Sequence, residues 1–130
     1  MINKESINIK VEKTYKDLNV FKLSYDLGLR VHKLTLKFPD FERHSLGNQL
    51  RRSSMSIPVN LAEGMSKQSS SMETIRFLKI AIGSCEETKV WLNYAFDLGY
   101  INQEYYDLVN QYEEVGKMLN GLIKYWKLKE

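Results

Sequence analysis

The 130-residue sequence predicts an all-α fold, an antiparallel up-down-up-down four-helix bundle with a proline inside its second helix. Three observations carry this. Apolar residues recur at three- and four-residue steps in four separate stretches, the period of a helix face. Glycine is sparse and only two prolines occur, Pro39 and Pro58, too few turn residues for an all-β chain. The links between the four stretches are short, which makes neighbouring helices antiparallel.

Residues 1–16 precede the bundle, which is expected over 17–130. In them Ile7, Ile9 and Val11 alternate with Asn8, Lys10 and Glu12, a period of two. An extended or flexible arm, or one that docks on a neighbour, is the expectation. The first helix is expected over Leu18–Lys37, with Phe21, Ser24, Leu27, Val31 and Leu34 on one face. Pro39 stops it, because the residue before a proline is pushed out of helical geometry.

The second helix is expected over Ser45–Ala62, with Gly64 as its stop. At about 100° per residue, Leu46, Leu50, Ser54, Ile57 and Leu61 share one arc. Arg52, Ser56, Asn60 and Glu63 share a second, and Met55, Pro58, Val59 and Ala62 form a third patch roughly opposite the first. A helix that lines one core needs one apolar face. Two faces predict a cover for the second, another copy of the protein or the rest of the same bundle.

Ser70 and Glu73 have capping-box spacing before the third helix, expected over Ser71–Leu98, with Gly99 as C-cap. Asn102 is placed to N-cap the fourth, whose stripe runs from Tyr105 to Trp126.

Composition narrows the function classes. The lone Cys85 excludes an intrachain disulfide and suits a reducing cytoplasm. No apolar run reaches the ~20 residues of a membrane span, so a cytoplasmic protein is expected. A di-iron bundle needs Glu-x-x-His pairs, but Leu29 and Phe41 stand where the glutamates before His32 and His44 would be. No metal site, catalytic residue or cofactor is predicted. Glu63 and Glu87 could form an acid/base pair only if the fold brought them together; a structural role is the simpler reading. Cys85 and His32 read as packed side chains.

Charge is uneven. Residues 1–69 hold 12 Lys/Arg against 7 Asp/Glu, and residues 70–130 hold 7 against 9, so the net +3 is the sum of +5 and −2. Arg43, Arg51, Lys67, Arg76 and Lys79 are the candidate nucleic-acid contacts, with Arg51, Lys67 and Lys79 aimed at the partner. Arg52 is assigned instead to an internal pairing with a carboxylate.

Four groups of residues resemble a known bacterial family. They are Asp17-Leu18 with Phe21, then Phe38-Pro39, then Arg52 with Ser56-Ile57-Pro58-x-Asn60-x-Ala62-Glu63-Gly64, and Phe77-Leu78-x-x-Ala81-x-Gly83-Ser84-x-x-Glu87. The family is that of four-helix bundles encoded in 23S ribosomal RNA intervening sequences, with the accessory variability determinants of diversity-generating retroelements. The resemblance covers about residues 17–125. Phe21 stands where a tryptophan is common and His32 where a tyrosine is, and the net charge is lower than in retroelement members.

The resemblance implies a homopentameric barrel of non-enzymatic protomers. It implies RNA or DNA as a partner, or a protein such as a reverse transcriptase. Met55, Pro58 and Val59 would meet a neighbour, with Ala62 on the same patch. Arg52, Ser56, Asn60, Glu63 and Glu87 would form a polar network. The competing expectation is a protein–protein assembly module that never touches nucleic acid.

Overall fold

The computed structural model describes residues 14–66 and 70–129. Most of the expected N-terminal arm, and Lys67, lie outside the described residues. Four long helices are present: α1, Asn19–Thr35; α2, Leu46–Ser66; α3, Ser71–Asp97; and α4, Glu104–Leu128. Among the described residues there is no strand. A one-turn 3-10 helix at Tyr15–Asp17 precedes α1, and a one-turn helix at Asp40–Arg43 lies between α1 and α2.

Thr14 caps the first of these turns, and the Asp17 carboxylate accepts from the Thr14 backbone N–H in return. The chain is therefore already turned, not extended, at residues 15–17.

Facing side chains show that neighbouring helices are antiparallel. Between α2 and α3, Ser53 meets Thr88, Ser56 meets Ser84, and the Gly64 carbonyl accepts from Thr74. Between α3 and α4, Lys89 reaches Glu113 and Phe96 stacks on Tyr105. Arg30 near the end of α1 pairs with Asp107 near the start of α4 at 2.9 Å. The core contains Leu27, Val31, Leu50, Ile57, Leu61, Leu78, Leu92, Leu108 and Leu119, all 1% exposed or less. Each contributes on the order of 2 kcal/mol of burial.

The α2–α3 seam is built from small and polar residues. The Thr88 hydroxyl donates to the Ser84 carbonyl at 2.8 Å and lies 2.9 Å from the Ser53 hydroxyl. Gly64 is buried inside α2, which runs on to Ser66. It is therefore not the helix stop expected from the sequence. A Cβ there would lie 2.8 Å from the Phe77 Cβ, so the glycine permits close approach of α3.

Helix ends differ in how far they match expectation. Ser70 accepts from the Glu73 N–H at 3.1 Å, but the Glu73 carboxylate is held by Arg76 at 2.6 Å, so the capping box is half formed. Gly99 has φ +83, and the Tyr100 N–H reaches the Ala95 carbonyl while the Gly99 N–H reaches that of Phe96. This is a Schellman ending, as expected for a glycine just past a helix. Asn102 does not cap α4; its own N–H donates to the Glu104 carboxylate instead.

Pro58 sits within α2 and is buried. Having no N–H, it leaves the Ser54 carbonyl without its usual helical donor. That carbonyl faces Gly28 of α1, where a Cβ would lie 3.9 Å from the oxygen. At the end of the bundle where α2 begins, Tyr100 packs on Phe38 and donates to Glu42 at 2.8 Å, tying the α3–α4 link to the α1–α2 link.

Candidate functional site

The two apolar faces of α2 have different fates. Leu50, Ile57 and Leu61 are in the core. Met55, Pro58, Val59 and Ala62 line a groove between α1 and α2 with a volume of about 460 Å³. Its other wall is Phe21, Tyr25, Leu29 and His32, and Tyr15 closes one end, edge-on to Phe21 at 5.0 Å.

Pro58 is buried at this groove, but Met55, Val59, Tyr25 and Leu29 are 47%, 56%, 52% and 49% exposed. Each half-exposed side chain leaves about 1 kcal/mol of burial unrealised. His32 is exposed and lines the groove rather than packing in the interior.

The polar stripe of α2 is narrower than expected. Asn60 donates to the Ser56 carbonyl at 2.8 Å and to its hydroxyl at 2.9 Å, and Ser56 shares a 2.8 Å bond with Ser84. Glu87 lies outside this cluster, accepting from the Trp91 indole at 3.0 Å. Glu63 is half-buried on the same side of α2.

The adjacent arginines sit differently from the expectation, with Arg51 rather than Arg52 bonded within the fold. Arg51 is half-buried, and its guanidinium donates to Thr35 at 2.7 Å and to the Arg43 carbonyl at 2.6 Å. Arg52 is exposed, with no carboxylate partner among the described residues. One residue step turns the side chain by about 100°, enough to move it from the α1 side to solvent.

The expected nucleic-acid contacts do not share one end of the bundle. Arg43 and Arg51 lie where α2 begins, and Arg76 and Lys79 lie beside its end. The helical rise between Arg51 and the residues of α2 facing Arg76 is roughly 18 Å. Arg43 pairs with Asp40 at 2.8 Å. Arg76 pairs with Glu73 and lies 4.5 Å over the Phe77 ring.

Arg76 and Lys79 share a cleft of about 320 Å³ with Met72, Ile75 and Lys127. Lys127 is not among the contacts expected from the sequence, although Lys124 and Lys127 in the last turns of α4 and Lys129 just past its end form a basic run. Lysines there also suit the negative end of the helix dipole, which hides any other role.

The groups with shifted pKa values are held by contacts within the bundle. The Glu42 carboxyl is held below its ordinary value by hydrogen bonds from Tyr100 and Ser45. Burial opposes the charge on Lys89, but hydrogen bonds to Glu113 and Glu86 outweigh it and raise its pKa. Burial pushes the Cys85 thiol up to about 11. Among the described residues, no three His, Cys, Asp or Glu side chains gather as a ligand cluster. No described helix is long and apolar enough to cross a membrane.

The family profile described as 23S rRNA-intervening sequence protein matches residues 16–121. The chain is also similar to the crystal structure of a protein of unknown function from the S23 ribosomal protein family of Bacteroides thetaiotaomicron VPI-5482. The identity is 29% over 81% of this chain and 95% of that one, with a TM-score of 0.71. A comparison with curated proteins gave no match.

Proposed function

The chain belongs to the family of 23S rRNA-intervening sequence proteins, and from that premise we propose a non-enzymatic, self-associating bundle that engages nucleic acid as an accessory factor. The observation that carries the reading is the α1–α2 groove. Met55 and Val59 stand half-exposed on a helix whose opposite face already fills the core. A second copy is the simplest cover, and a ring of five is the form the resemblance implies.

A ring would repeat the Arg76, Lys79 and Lys127 cleft around its axis, so weak contacts to one strand add through avidity. The name of the S23 ribosomal protein family, carried by the structural neighbour, favours RNA as the strand.

Sedimentation velocity at micromolar concentration tests the assembly. Wild type is expected to sediment as an oligomer, and Met55→Asp with Val59→Asp as a monomer, since two carboxylates placed in an apolar contact weaken it by about 30-fold or more. A wild-type monomer would remove the reading. Binding to RNA is then measured against salt. Lys79→Gln with Lys127→Gln is expected to reduce both the affinity and the steepness of its salt dependence. A captured, nuclease-resistant protein partner without any nucleic-acid affinity would favour the assembly-module reading instead.

A further inference from the structure

We propose that the cleft between the start of α2 and the end of α3 binds the guanidinium of an arginine presented by another protein. This cleft shares no residue with the α1–α2 groove or with the Arg76–Lys79–Lys127 cleft, and does not depend on how either is read.

Trp91, Tyr94 and Leu98 line the cleft from α3 and its end, Gln49 from α2, and Glu42 and Ser45 from the link before α2. Its volume is about 250 Å³, and no lysine or arginine lines it. The half-buried Glu42 carboxylate is fixed in place. Tyr100 and Ser45 each donate to it at 2.8 Å, and the Leu46 N–H adds a third bond. All three donors are neutral, so they orient the negative charge without cancelling it. Arg43, next in the chain, is turned instead to Asp40 and the Phe38 carbonyl. Among the described residues Glu42 is in no ion pair.

The aromatic residues complete a cation site. The Trp91 and Tyr94 ring centroids lie 6.0 Å apart with their planes at 38°. The Trp91 N–H donates to the Glu87 carboxylate at 3.0 Å, which raises the electron density of the indole and so its attraction for a cation over its face. A guanidinium is flat and carries donors on its edge. It can therefore stack on a ring while donating to Glu42, a combination that a compact ammonium matches less well.

Three observations favour a protein as the source. Sites that enclose a free small molecule usually measure roughly 300–1,000 Å³, and this cleft is smaller. Tyr94 and Leu98 are 55% and 54% exposed, giving apolar surface for an arginine stem and the chain that bears it. The α1–α2 groove is lined by no lysine or arginine, so a second copy docking through its groove brings no guanidinium. A different protein then supplies it.

Tryptophan fluorescence tests the site. The chain has two tryptophans, so Trp126→Phe leaves Trp91 as the only reporter. In that full-length background, a glycine-flanked arginine peptide is expected to give a saturable change. The same peptide with citrulline, which keeps the shape and loses the charge, is expected to bind about tenfold more weakly. Glu42→Gln should weaken the arginine peptide by about tenfold, and Tyr94→Ala by about threefold. No saturable change, or equal binding of the citrulline peptide, would overturn the proposal. That contrast keeps Glu42 intact, so a folding defect in Glu42→Gln does not blunt it.

Two further arms identify the source. Methylguanidinium alone is expected to bind about tenfold more weakly than the arginine peptide, because it lacks the stem that packs on Tyr94 and Leu98. Equal binding would assign the cleft to a free cation and overturn the protein partner. In sedimentation velocity, Glu42→Gln is expected to match the wild type. Loss of a wild-type oligomer in that variant would give the arginine to a second copy, which also overturns the proposal.

Discussion

Alanine at Gly64 should destabilise the bundle, while alanine at Gly121 should stabilise it. Both glycines are inside helices, where alanine is favoured by about 1 kcal/mol on propensity alone. Gly121 is exposed, and a Cβ there meets nothing within 4 Å, so the gain is realised. At Gly64 the added carbon would stand 2.8 Å from the Phe77 Cβ. Carbon atoms settle at about 3.5–4.0 Å, so α2 and α3 must part by several tenths of an ångström or more.

That shift stretches the Thr74–Gly64 bond, now 3.2 Å, and the Ser56–Ser84 contact, now 2.8 Å. Overpacking of this kind costs about 1–3 kcal/mol. After the propensity gain, Gly64→Ala should lose about 0–2 kcal/mol, and the two variants should differ by about 1–3 kcal/mol. With a urea m-value of about 2 kcal/mol/M, their midpoints should separate by about 0.5–1.5 M. Circular dichroism at one fixed protein concentration reads this, since self-association shifts apparent stability. Equal midpoint increases in the two variants would refute the close-approach account of Gly64.

Thr88→Val should cost about 1–2 kcal/mol in the same denaturation assay, because it removes the buried bonds to Ser53 and the Ser84 carbonyl. Tyr100→Phe should blunt the loss of thermal stability on acidification. The Glu42 pKa lies below its ordinary value of 4.5, so its contribution is present above that value and lost as pH falls through the folded one. Melting temperatures compared from pH 6 downwards would show the shallower acid limb, and an unchanged limb would refute the coupling. Cys85, with its pKa raised to about 11, should resist an aromatic disulfide reagent at pH 8 until the protein is unfolded. Fast labelling of native protein would contradict its burial.

The four helical stripes were legible because helical periodicity is local. Leu46, Leu50, Ile57 and Leu61 point one way whatever surrounds them. The second apolar face of α2 was legible for the same reason, and so was Gly99, whose left-handed backbone belongs to the helix end itself. Gly64 was not, because a stop and a close approach both ask for the same residue. Asn102 was misassigned because the Glu104 carboxylate competes for the same helix start.

The two arginines and Lys127 mark where local reasoning ends. Arg51 is held by Thr35 and Arg43, one from α1 and one from the link before α2. Lys127 joins Arg76 and Lys79 across the α3–α4 interface.

From sequence alone came the helical class, the count of four long helices and the surplus apolar face on α2. Periodicity and end signals act within a few residues, so they survive without knowledge of neighbours. Tertiary structure decided which polar groups pair, which glycine admits a facing helix and which cations share a cleft. Those outcomes depend on distances between side chains far apart in the chain, and helix packing sets them to a fraction of an ångström.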